Sequence, residues 1–324
     1  MEGFNKKDIF VEGGPNKKDY LYVVGFFLLL MLPFIFNFIQ SSSIKSYGSI
    51  YLPIFILTFT GIGFALITRN GLTREVIYGN IKDDKALYYS VLVGAGFGFL
   101  LISSLIFGGS SFLSFFRLDV PFSIGVVPTV ASQSIALLVV VAIFAVETEE
   151  SLRASFLVPT FANLRMPILF IFAGIVTLAI SQLYIITILF FFFALFFAFS
   201  KRLSQKVSTS NFDRHLSSIL VAAVVFGLFH IYAYGSSVNE LQLIESAIAF
   251  AVVADLINWH LQNAVASRIA HSTNNSFVLA AVTGINFGLA GLVVLLYIII
   301  IVMLYKMKGF FAAKGKASVD VSYA

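Results

Sequence analysis

What most constrains this chain is a series of apolar runs, each close to the roughly 20 residues a helix needs to cross a hydrocarbon layer. They recur along the sequence with short polar connections between them. A soluble core does not account for this pattern: 59% of the 324 residues are hydrophobic and 11% are charged, against roughly 25% charged in ordinary soluble domains. The expectation is an all-α fold, a polytopic transmembrane helical bundle of about ten spans (eight to ten). The spans fall near 21–39, 49–68, 88–108, 124–147 running on through the charged cluster that follows, 166–183, 184–200, 216–235, 241–258, 263–283 and 287–306.

Basic residues in the connections set an expected direction. Lys6, Lys7, Lys17 and Lys18 precede the first span, and Arg69, Arg74, Lys82 and Lys85 lie between the second and third. Lys201, Arg202, Lys206 and Arg214 follow the sixth, and Lys306, Lys308, Lys314 and Lys316 follow the last. The alternate connections near 40–48, 109–122 and 236–240 hold only Lys45 and Arg117. The positive-inside rule then predicts an integral multi-pass protein with both termini cytoplasmic and an even number of spans. Residues 1–19 read as a cytoplasmic tail, polar and mixed in charge, without a cleavable secretory pattern. Spans at 20–120 and 121–308 follow, then a tail at 309–324. The net charge of +5 sits beside the spans, where membrane lipid headgroups are the expected partners and nucleic acid is not implied. The chain has no cysteine, which removes disulfides, thiolate nucleophiles and thiolate-bound metals.

Ionisable groups inside apolar spans are expensive, so each marks a candidate site. Glu147, Glu149, Glu150 and Arg153 follow the run "SIALLVVVAIFAV" directly. Glu149 and Arg153 are i,i+4 neighbours, which predicts an ion pair on one face, with Glu150 about 100° around the helix. His271 and Asn275 share that spacing and are expected to project together into the bundle. His230 stands among aromatic and aliphatic neighbours in "VVFGLFHIYAYG". Together these supply a base, an acid and neutral donors, the groups needed to activate water against a carbonyl. Asp255, His260 and Arg268 read as an internal polar network, His215 as a solvated loop residue, and "TGINFGLAGL" as the turn between the last two spans.

In order and spacing these residues resemble the CAAX protease and bacteriocin-processing family of intramembrane glutamate proteases, whose motifs are EExxxR, FxxxH and HxxxN or HxxxD. "FGLFH" (Phe226 to His230) and "HSTNN" (His271 to Asn275) carry the second and third. In the first, "EESLR", two residues rather than three separate Glu150 from Arg153. Either Glu149 and Glu150 act after a local shift in the helix, or Glu147 takes over a role. The resemblance, which leaves the first three spans outside, implies that 121–308 is the family-like core. It also implies that Glu149, with Glu150 as companion, works with His230 to deprotonate water, that His271 and Asn275 stabilise the oxyanion, and that Arg153 orients a glutamate. No HExxH pair occurs, and the expected chemistry uses no metal and no cofactor. A peptide or protein substrate at the membrane is the implied partner. The alternative is a non-catalytic scaffold or transporter-like protein in which the same polar groups hold helices together.

Overall fold

The structure is a computed structural model, and it describes residues 77–79, 81–107, 138–163, 166–181, 184–200, 211–229 and 240–320. The first two expected spans lie outside these residues. Among the described residues the chain is all-helical, without strands. Eight helices follow in order: α1 (Asp84–Phe107), α2 (138–163), α3 (Met166–Ser181), α4 (Tyr184–Phe199), α5 (Asn211–Phe229), α6 (Glu240–Leu261), α7 (Val265–Thr283) and α8 (Phe287–Asp320). Two of them are long and apolar enough to cross a membrane, over Asp84–Ser103 and Phe287–Met307. Shorter apolar stretches lie at Met166–Ile175, Thr187–Phe199, Arg214–Gly227 and Ser246–Leu261.

Helices α1 and α7 pack in close contact. A Cβ on Gly94 would sit 2.6 Å from the Ala266 carbonyl oxygen and 2.8 Å from its Cα, and one on Gly98 would sit 2.7 Å from Thr273 Cβ. Gly94 and Gly98, four apart on one face of α1, remove side-chain bulk where the partner backbone passes, as small residues do between membrane helices. Numbers rise together along both helices at these contacts, so α1 and α7 run in the same direction.

Helix α7 is the centre of the bundle. Every residue from Asn263 to Asn274 is buried, although the stretch includes serines, an arginine, a histidine and a threonine. A helix buried on all sides with so many polar groups requires internal partners for them. Apolar packing surrounds it on two sides. Leu87, Leu138, Val146, Ile269 and Tyr297 join α1, α2, α7 and α8, while Leu101, Ala223, Phe250 and Ala270 join α1, α5, α6 and α7.

Turns at both ends of α7 are locally specified. Asn263 Oδ1 accepts the Val265 N–H (3.1 Å), and its Nδ2 donates to Ser90 Oγ (3.1 Å), tying the α6–α7 turn to α1. Gly284, at φ 75°, takes the left-handed conformation that ends α7, and the turn into α8 falls in the "TGINFGLAGL" stretch as expected. The Phe-rich α4 pairs with α3 through Phe170, whose ring stacks on Phe197 (5.5 Å). Its other face leaves Ile185, Ile188, Phe192, Phe196 and Phe199 exposed.

Candidate active site

Helix α2 carries the glutamates, and its winding is unusual. It runs as π turns over Val140–Ala145, α turns over Val146–Glu150, π turns over Ser151–Leu157 and α turns again over Val158–Asn163. The Val158 N–H bonds to the Arg153 carbonyl, five residues back. Such wide turns gather at functional sites because they displace side chains relative to a regular helix. The second begins directly after the Glu149–Glu150 pair, so the helix is locally shifted between the glutamates and the residues that follow. It also continues past Pro159, which leaves the glutamates in mid-helix.

Glu150 is fully buried. Its Oε2 accepts from Arg153 Nη2 (2.6 Å) and from Ser267 Oγ (2.6 Å), and its Oε1 lies 2.9 Å from His271 Nδ1. Burying an ionised carboxylate is costly unless it is paired and hydrogen-bonded, and three partners meet that requirement. Arg153, also fully buried, extends Nη1 to the Ala251 carbonyl (3.3 Å) and forms an ion pair with Asp255. The rings of Phe226 and Phe250 lie 5.6 and 5.9 Å from its guanidinium carbon.

The expected Arg153 pairing is thereby corrected. Arg153 binds Glu150, three residues before it, and not Glu149. Both spacings bring side chains together on a helix. The choice falls to α7, where Ser267 and His271 draw Glu150 inward. Glu149 instead meets the other ring nitrogen of His271, with Oε2 3.3 Å from Nε2, and its side chain keeps 23% of its surface open. One imidazole is therefore bracketed by two adjacent carboxylates. An ionised Glu150 only accepts hydrogen bonds, which assigns the proton to Nδ1 and leaves Nε2 facing Glu149.

Phe226, the first residue of the FxxxH motif, packs against His271 (6.3 Å between ring centroids) as well as Arg153. His230, the last residue of that motif, lies outside the described residues. Asn275 is one turn beyond His271, and its Nδ2 reaches the Val141 carbonyl in the first π stretch of α2 (3.5 Å). Glu149, Glu150, Arg153 and His271 thus converge, while Asn275 bonds the neighbouring backbone of α2. Among the described residues no group of three His, Asp or Glu side chains is arranged to hold a metal ion.

Residues not assigned to the site by sequence complete it. Ser267 is one turn before His271, so the i,i−4 spacing was a usable signal. A second cluster adjoins the first: Arg268 Nε meets Glu147 Oε2 (3.2 Å), Arg268 Nη2 donates to Ser151 Oγ (3.3 Å), and Tyr297 Oη donates to Glu147 Oε1 (2.5 Å). The expected Asp255–His260–Arg268 network divides accordingly. Asp255 joins Arg153, Arg268 joins Glu147, and His260 is exposed. His215 is not in a loop but on α5, 1% exposed, with its ring stacked on Trp259 (5.4 Å).

Comparisons with protein-family models, with curated proteins and with solved structures find no match for this chain.

Proposed function

We propose that this chain is a multi-pass membrane protein of about ten spans that hydrolyses a peptide bond of a membrane-associated substrate, with water activated by glutamate and histidine and without a metal. The observation that carries this reading is the buried imidazole of His271 held between Glu150 and Glu149, with Arg153 fixing Glu150 from behind. Glu150 is fully enclosed, whereas the Glu149 side chain keeps 23% of its surface open, so Glu149 is the carboxylate that an incoming water reaches. Glu149 takes a proton from that water with His230 as its partner, and the resulting hydroxide adds to the substrate carbonyl carbon. Asn275 donates to the oxyanion, giving up its long contact with Val141, while His271, its Nδ1–H held by Glu150, accepts from the newly protonated Glu149 through Nε2. The amine departs with the proton that Glu149 removed, which restores the carboxylate.

Two features support the membrane topology. Parallel α1 and α7 suit the third and ninth spans of an alternating series. Lys306 pairs with Asp84, joining the end of the apolar stretch of α8 to the start of α1, both of which the basic-residue pattern assigns to the cytoplasmic side.

The test is purified protein in liposomes, offered a library of membrane-anchored peptides. Glu149→Gln is expected to lower turnover about 100-fold or more, the usual contribution of a general base, and His230→Ala and His271→Ala to lower it as well. Full turnover in all three variants would sink the proposal. One observation favours a second reading, a non-catalytic scaffold or transporter-like bundle. The two arginines are already paired with carboxylates, and Arg153–Asp255 and Arg268–Glu147 bridge neighbouring helices, as groups that only join helices do. In that case the wild type cuts no peptide and the variants lose stability alone.

A further inference from the structure

Asp255 stands on α6, a helix that contributes nothing to the three sequence motifs. It is 3% exposed and ion-paired with Arg153 Nη1. One turn earlier on the same helix, Ala251 offers its carbonyl to the same nitrogen at 3.3 Å. Ala247, Ala251 and Ala254 are small and buried, which lets the α6 backbone come this near. The guanidinium is thus held by α6 at one end, while Nη2 holds Glu150 at the other.

Glu150 needs a single cation, and Arg153 supplies it. A second buried carboxylate on that cation adds desolvation cost without being required for the Glu150 pair. What it adds is geometric. With Asp255 present, the depth and plane of the guanidinium are set from outside α2, and Glu150 is drawn to a fixed point. Without it, Arg153 follows Glu150, whose place is then set only by Ser267 and His271. The other charged groups at hand, Glu147 and Arg268, are engaged with each other and with Tyr297, leaving Asp255 as the carboxylate that anchors Arg153 from another helix.

We infer that Asp255 is a positioning residue: acting through Arg153 and Glu150, it sets how firmly the Nδ1 side of His271 is held relative to the Nε2 side that faces Glu149. Its effect on turnover rests on the hydrolytic reading above, whereas its effect on His271 does not.

The closing experiment separates the two. Full-length protein labelled with 15N at its four histidines is purified in detergent micelles, and the His271 ring signals are identified by their loss in His271→Gln. Wild type should show the Nδ1–H tautomer, with that N–H donated to Glu150. Asp255→Asn keeps the shape and removes the charge; the Nε2–H tautomer should rise severalfold as Glu149 competes for the proton. Asp255→Glu, which restores the charge, should return most of the wild-type pattern and also provides a readable variant where the asparagine form folds poorly. With a cleaved peptide in hand, kcat in Asp255→Asn should fall about 10- to 100-fold with KM nearly unchanged, the scale of a small misplacement of reacting groups. An unchanged His271 pattern in Asp255→Asn overturns the inference, whatever happens to stability. If wild type cuts no peptide, the hydrolytic reading falls, while the tautomer shift still decides the role of Asp255.

Discussion

Replacing Arg153 with methionine keeps a long, slender side chain in the space between the Phe226 and Phe250 rings and deletes the charge. Glu150, 2.6 Å from the lost guanidinium, and Asp255 are then left buried without their cation, and the Ala251 carbonyl loses a donor. Breaking a buried ion pair by removing one partner costs about 3–5 kcal/mol, because the remaining charge stays desolvated. Here two carboxylates are stranded, but Ser267 and His271 still hydrogen-bond Glu150, so the lower half of that range is expected. The unfolding equilibrium should therefore move by roughly two to three decades. The assay is reversible unfolding in mixed micelles of increasing SDS content, followed by tryptophan fluorescence; the single tryptophan, Trp259, lies one turn beyond Asp255 on α6. A companion triple variant, Glu150→Gln with Arg153→Met and Asp255→Asn, removes all three charges. It should recover most of the loss, since apolar or neutral replacements of buried ion networks are often tolerated. Wild-type stability in the single variant would refute the charge argument. A triple variant no better than the single would show that packing, not stranded charge, is responsible.

Three further changes probe the surrounding bundle by the same assay. Gly94→Ala should destabilise by about 1–3 kcal/mol, the usual cost of overpacking, because its Cβ meets Ala266 backbone at 2.6 Å; Gly96→Ala meets nothing within 4 Å and should be neutral or stabilising. Equal behaviour of the two would refute the close α1–α7 approach. Tyr297→Phe removes one donor to Glu147 and leaves Arg268 in place, so a loss of about 1.5–3 kcal/mol is expected, as for hydrogen bonds to charged groups; an unchanged unfolding curve would show that the Tyr297 hydroxyl contributes nothing.

The legible part of the site was its polarity and spacing. His271 and Asn275 share a face of α7 as their i,i+4 spacing required, and the charged cluster after residue 146 does enter the bundle. The partner of Arg153 was not legible, because Glu149 and Glu150 both lie within reach of it along one helix. The π turns of α2 were equally hidden, since nothing local in "SLRASFL" demands an extra residue per turn. Asp255 was visible as a carboxylate within an apolar run, but its attachment to Arg153 depends on α6 lying beside α2, a relation between residues 102 positions apart.

Helix formation and the burial of polar groups follow from composition alone, since apolar runs of this length satisfy their backbone internally and charged groups among them seek one another. Which groups meet is a matter of depth and rotation, fixed where side chains from different helices compete for the same space. Two glycines on α1 let α7 sit at the centre, and from there Ser267 and His271 select Glu150. That selection is a sum of contacts from four helices, α2, α5, α6 and α7, and no single stretch of the chain contains it.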